Sequence, residues 1–119
     1  MYVDADLINR TVALVAQDLV STLGWPVERA EAIVREEALS KARIDCWNED
    51  GDVAYALAVA EDTQQLLHDT FEDVTWPGCP AHGRHPLWLE EETSGLPTWR
   101  CQADHAGYGQ LGELATHRA

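Results

Sequence analysis

Basic residues are scarce in this chain: 8 Lys and Arg stand against 21 Asp and Glu, for a formal charge of −13. A surface of that sign repels phosphate, so direct nucleic-acid binding through the backbone is disfavoured, while basic protein partners are permitted. Long apolar runs are missing as well. The longest uninterrupted apolar stretch is the eight residues 53–60, far short of a bilayer span, and the first residues lack the basic and apolar regions of a secretory leader, so no membrane span or anchor is expected. Cysteine is limited to three, an odd number that does not fit a disulfide framework and points to reduced thiols in a cytoplasmic setting. Enzyme signatures are absent too. No His-Glu-x-x-His of a zincin occurs, nor the His-x-Glu and Pro-Cys-x-x-Cys of a zinc deaminase.

What is present suffices for a fold. With 119 residues, 45% hydrophobic and 24% charged, the chain matches an ordinary globular domain, or a small domain with a metal-stabilised appendage. Its charge is uneven. Residues 1–73 hold 16 acidic and 5 basic side chains, whereas residues 74–119 hold 5 and 3, so the two parts differ in electrostatic character.

The first part reads as three helices. Ile8, Val12, Val15, Leu19 and Leu23 recur at helical spacing over residues 5–23, with Asp4 or Asp6 to cap the start and Gly24 to end it. Pro26 suits the first turn of a second helix running to Trp47, whose thin apolar stripe is Ala30, Ile33, Val34, Ala38 and Ile44; Trp25, Leu39 and Trp47 are available to thicken its packing. Asn48 to Asp52 is a turn signal, with Asp52 as a cap. A third helix over 53–73 follows, with Val53, Leu57, Ala60, Gln64, Leu67 and Phe71 on one face. Short connections favour antiparallel neighbours, hence a three-helix bundle.

From Trp76 onward Pro, Gly, Trp and His replace the helical pattern. Leu87-Trp88-Leu89 and Thr98-Trp99-Arg100 read as two strands of a hairpin, and residues 107–114 can add a third. The expected class is therefore α+β: an acidic helical bundle over 1–73 carrying a small zinc-ribbon-like β-hairpin module over 74–119.

Five potential metal ligands fall within the thirty positions from Trp76 to His105. Cys thiolate and His imidazole are donors that Zn²⁺ prefers, and two short pairs facing each other across a hairpin make a small tetrahedral site. The first pair is Cys79 and His82. Pro80 bends the chain after the first ligand and Gly83 permits a tight turn after the second. The second pair is Cys101 and His105, three residues apart. His85 competes for the fourth position, so Cys79, His82, Cys101 and His105 are the expected zinc ligands, with His85 as the alternative to His105.

The plainer explanation of these residues is surface histidines and inert thiols in an irregular tail. Small irregular segments need cross-links to order, which favours the metal. Plainer explanations suit several others: Cys46 as a half-buried thiol, His68 as a solvent-facing helix residue, and Glu90-Glu91-Glu92 as a solvated loop. Trp76, Trp88 and Trp99 either form a small aromatic core over the site or, with Leu87, Leu89 and Tyr108, an exposed patch.

The order Cys-Pro-x-His-x-x-His-Pro-Leu-Trp, a hairpin, Trp-x-Cys and then Gly-x-Leu-Gly-x-Leu resembles a pattern in small proteins of high-GC actinobacteria and their phages. The resemblance covers residues 76–114, and for a phage-encoded chain it implies a virion-associated location. In that group a Pro often follows the second Cys, whereas Gln102 stands here.

Together these features lead to one expectation: a non-enzymatic interaction or assembly protein with a structural zinc ion, acting on a protein partner. Two alternatives stand beside it. One is an acidic inhibitor or regulator that occupies a basic, nucleic-acid-binding partner; the other is a metal-dependent hydrolase or nuclease with His82 or His85 as base.

Overall fold

The computed structural model describes residues 4–43, 51–70, 76–81, 85–93 and 95–114. Its elements are α1 (Ala5–Leu23), α2 (Val27–Ala42), α3 (Gly51–Thr70), β1 (Leu87–Glu90), β2 (Thr98–Cys101) and β3 (Gly107–Gln110). Three helices followed by a small antiparallel sheet make the class α+β, as the periodicity predicts. No helix among the described residues is long and apolar enough to cross a membrane.

Helix α1 begins where the Asp4 side chain accepts the Leu7 amide at 2.9 Å, which satisfies one of the unpaired donors of the first turn. It ends at Gly24, which adopts the left-handed conformation with φ 73° and donates its amide to the Val20 carbonyl at 3.0 Å. Leu7, Val12, Val15, Ala16 and Leu19 are buried, while Ile8 and Leu23 at the ends of the expected stripe are half-buried.

Helix α2 starts one residue later than Pro26, which serves as its cap, and stops at Ala42 rather than Trp47. The final turn tightens there, with the Arg43 amide reaching back three residues to the Ser40 carbonyl at 3.3 Å. Ala30, Val34 and Ala38 are buried, so the stripe is as thin as its sequence suggests. Leu39 does not thicken it, being exposed; Trp25 is half-buried, and the Arg29 guanidinium lies 4.0 Å over its ring. Ile44, Cys46 and Trp47 lie outside the described residues.

The third helix is rotated from expectation. Its buried side chains are Tyr55, Ala56, Val59, Ala60, Thr63 and Leu67, whereas Val53, Leu57 and Gln64 are half-buried. The physical reason is Tyr55: its ring fills the space that the small α2 side chains leave, and its hydroxyl donates to the Ala38 carbonyl. Asp52 falls inside the first turn, because the helix already begins at Gly51, and Phe71 lies outside the described residues. Across the rims, Arg35 donates to the Asn9 side chain at 2.9 Å and Lys41 pairs with Asp62 at 3.2 Å.

The sheet has the order β1-β2-β3, antiparallel throughout. Leu87 stands opposite Cys101 and Leu89 opposite Trp99, so one face presents Leu87, Leu89, Trp99 and Cys101 to the interior while Trp88 and Arg100 face outward. The third strand is shorter than the expected 107–114, because a turn begins at Leu111.

Helices and sheet share one buried cluster. Its centre is a pair of indoles, Trp76 and Trp99, packed edge to face with centroids 5.5 Å apart. Both ring N–H groups are bound by α1. Trp99 donates to the Asp18 carboxylate at 2.7 Å and Trp76 to the Thr22 hydroxyl at 2.9 Å, one helical turn further on. Asp18 also accepts the amides of Gly112 at 2.8 Å and Leu114 at 3.0 Å, although burial pushes its carboxyl above the ordinary carboxylate value. From α3, the Gln64 side chain donates to the carbonyls of Trp76 at 3.1 Å and Leu87 at 2.9 Å. Two tryptophans are thus core, and Trp88 is 40% exposed.

Candidate metal centre

Two short backbone devices bring the site together. In the first, Gly78 bridges Pro86, the Leu87 amide donates to the Pro77 carbonyl at 2.7 Å, and the Cys79 amide donates to the His85 carbonyl at 3.0 Å. These bonds extend the ladder beyond β1 and set Cys79 directly across from His85. In the second, the chain leaving β2 turns back on itself: the His105 amide donates to the Cys101 carbonyl and the Cys101 amide to the Ala106 carbonyl, each at 2.9 Å.

Cys79, His85 and Cys101 offer donor atoms that all lie within 4.8 Å of one another. His85 Nε2 lies 3.3 Å from Cys101 Sγ. A tetrahedral ion with a metal–sulfur distance near 2.3 Å and a metal–nitrogen distance near 2.0 Å holds sulfur and nitrogen about 3.6 Å apart, so these groups lie close enough to bind one metal ion. Both cysteines are thiols and are almost wholly buried, at 1% and 0% exposure, while His85 is half-buried.

The turn after Cys101 aims donors at its sulfur. Ala103 N–H approaches Sγ at 3.3 Å and the Asp104 amide joins it, donors that would offset the charge of a thiolate there. Burial nevertheless pushes the Cys101 thiol up, the two amides oppose it, and the Asp104 carboxylate and the Cys79 thiol add to the rise. Asp104 also accepts the Ala106 amide at 2.9 Å, closing the turn. Burial pushes the phenol of half-buried Tyr108 above its ordinary value, and the neighbouring Cys79 side chain adds to the rise.

Of the ligands expected from spacing, Cys79 and Cys101 are brought together. His85, the competitor, joins them. His105 is exposed and is not part of this group; it adopts a positive φ of 65°, its carbonyl accepts the Arg100 guanidinium at 3.1 Å, and its backbone shapes the turn after Cys101. His82 and Gly83 lie outside the described residues, as does His117. His68 is exposed on α3, 3.5 Å from the Asp69 carboxylate. Glu90 and Glu92 are not merely solvated: both face Arg100, at 2.8 and 3.3 Å.

Sequence reading missed Asp104. A Cys followed three residues later by Asp, whose side chain can bind its own backbone two residues on, is the turn signal that points to it.

A family model described as "Domain of unknown function (DUF8819)" matches residues 4–111, across all three helices and all three strands. The chain belongs to the DUF8819 family. No curated protein and no solved structure matches it. The DUF8819 match takes in both halves, including Cys79, His85, Cys101 and the buried Asp18, so the family unit contains the site together with the helices that carry it.

Proposed function

We propose that this DUF8819 protein is a non-enzymatic interaction or assembly protein whose C-terminal module is fastened by a structural zinc ion. The observation that carries the reading is the convergence of two buried sulfurs and the His85 nitrogen within 4.8 Å, with backbone amides directed at one sulfur. Soft thiolates with imidazole select zinc over the hard cations. The fourth donor comes from His82 or His105. Apolar burial between the helices holds the bundle without metal, whereas the module has few residues and short strands, so the ion contributes on the order of 10 kcal/mol to ordering it.

Metal analysis of protein purified without added zinc should find one zinc per chain, absent from Cys79→Ser. A chelator should change the Trp fluorescence while leaving far-ultraviolet helical signal. No stoichiometric metal, together with unchanged fluorescence, would sink the reading. X-ray absorption then counts donors: four protein ligands support a fastener, and three with an added oxygen favour a metallohydrolase.

One observation favours a second reading, an acidic regulator that docks on a basic partner. The Glu37 and Glu61 carboxyls are pushed above their ordinary values, first by partial desolvation and then by neighbouring carboxylates, Asp62 and Glu36 for one and Asp62 and Glu91 for the other. Lys41 opposes both. A partner's cations would relieve that crowding, and steep salt dependence of binding would mark it. Pull-down with intact protein and with Cys79→Ser separates the two surfaces: loss of the partner with the metal places binding on the module, and retention places it on the helices.

A further inference from the structure

Cys101 sits at the head of a tight turn. The His105 amide donates to the Cys101 carbonyl and the Cys101 amide to the Ala106 carbonyl, each at 2.9 Å, and the Ala106 amide donates to the Asp104 carboxylate, also at 2.9 Å. Within the loop so closed, the Ala103 N–H comes to 3.3 Å from Cys101 Sγ. One residue in it is held against preference. His105 has φ 65°, a left-handed conformation uncommon for a residue with a Cβ, so the turn needs an outside contact to keep it there.

Arg100 makes that contact. It precedes Cys101 on β2, so its side chain leaves by the outer face of the sheet while the sulfur points to the interior. Its Nη1 donates to the His105 carbonyl at 3.1 Å, its Nη2 to Glu92 at 3.3 Å, and its Nε lies 2.8 Å from the Glu90 carboxylate. A planar fork with donors on several sides can serve a carbonyl and two carboxylates together, where a compact ammonium would reach fewer. Gly107 leaves the room: a Cβ there would lie 3.3 Å from Nη1. The clamp is also sheltered, since the Arg100 side chain is 28% exposed against 56% for Arg10 in its ion pair with Asp6.

We propose that Arg100 is a positioning residue of the metal centre: anchored by Glu90 and Glu92, it fixes the His105 carbonyl and thereby the turn that aims the Ala103 amide at the Cys101 sulfur. The proposal rests on the metal reading above. A thiolate ligand shares its charge between the metal and nearby donors, and groups that orient ligands are worth about 10- to 100-fold in metal affinity. Arg100 acts through the backbone of the turn, from the opposite face of the sheet.

The test uses the full chain as wild type, Arg100→Met and Arg100→Lys, loaded with Co²⁺ and separately with Zn²⁺. Withdrawing the Ala103 N–H raises the energy of the sulfur lone pair, so the thiolate-to-cobalt band should move to longer wavelength in Arg100→Met. Competition with a chromophoric chelator should show its zinc affinity weakened about tenfold. Near-ultraviolet circular dichroism of the Trp76–Trp99 pair checks that the sheet still packs. Arg100→Lys separates position from charge: it keeps the cation but loses the fork, and its band should shift as well. A lysine variant with the wild-type band and affinity overturns the proposal, because charge alone then suffices, and so does a folded methionine variant with both unchanged; in either case the metal site stands. A wild-type chain that binds neither ion overturns the metal reading, and this proposal with it.

Discussion

The helices and the segment after residue 76 cohere by different means. In α1, α2 and α3 the buried side chains are mostly Ala, Val and Leu at helical spacing, non-directional contacts that tolerate a rotated face. In the segment after Trp76, order depends on directed groups: two indole N–H bonds, two amides on Asp18, the Gln64 side chain on two carbonyls, and the thiols with His85. A segment whose strands are four residues long shares its apolar core with the helices instead of building one of its own, so individual polar contacts carry more of its order. The two halves should therefore respond differently to single substitutions.

The sharpest way to break the comparison, after metal removal, is at Asp18, where the halves meet. Asp18→Ala leaves the Trp99 indole and the amides of Gly112 and Leu114 without their acceptor, and should cost about 3 kcal/mol in urea unfolding followed by Trp fluorescence. A loss below about 1 kcal/mol would mean that apolar packing alone docks the module. The same residue predicts a pH effect. Burial lifts its carboxyl above the unfolded-chain value, so its contribution is fully present below that value and is lost as pH rises through the native one. The stability difference between wild type and Asp18→Asn should accordingly shift toward the wild type as pH falls through the acid range. A difference independent of pH there would show that the three N–H donors keep the carboxylate charged.

Gly112→Ala ranks next. Its added Cβ would lie 2.5 Å from Leu14 Cδ2, at a position with φ 93°, and the cost should be about 2 kcal/mol. Equal stability of the variant would show that α1 yields easily to the module. The smallest effect belongs to the helices: Tyr55→Phe leaves the buried Ala38 carbonyl short of one donor, for about 1 kcal/mol by thermal unfolding, with the Trp76–Trp99 signal unchanged in the folded state. A change in that signal would show that the two halves are coupled through α3.

The same contrast explains what could be read in advance. Helix positions, the Asp4 and Gly24 caps, the hairpin and the pairing of Cys79 with Cys101 follow from local spacing and turn chemistry. The rotation of α3 does not, since Tyr55 is placed by the small residues of another helix. Nor does Asp18, which looks like any polar helix position until its donors arrive from residues 99, 112 and 114. His85 gains its place by sitting across a ladder rung from Cys79, a relation of register rather than of spacing.

The reach of Asp18 also bears on synthesis. Its last donor, the Leu114 amide, lies 96 residues further along the chain, about 5–20 s of translation at ordinary rates. Through that interval the helices emerge with the face that will receive Trp76 and Trp99 uncovered. A charged carboxylate and the Thr22 hydroxyl in its middle keep that waiting surface wet and discourage other nascent chains from sticking to it. The residue that later clasps the finished molecule is, until its partners arrive, a polar break in that face.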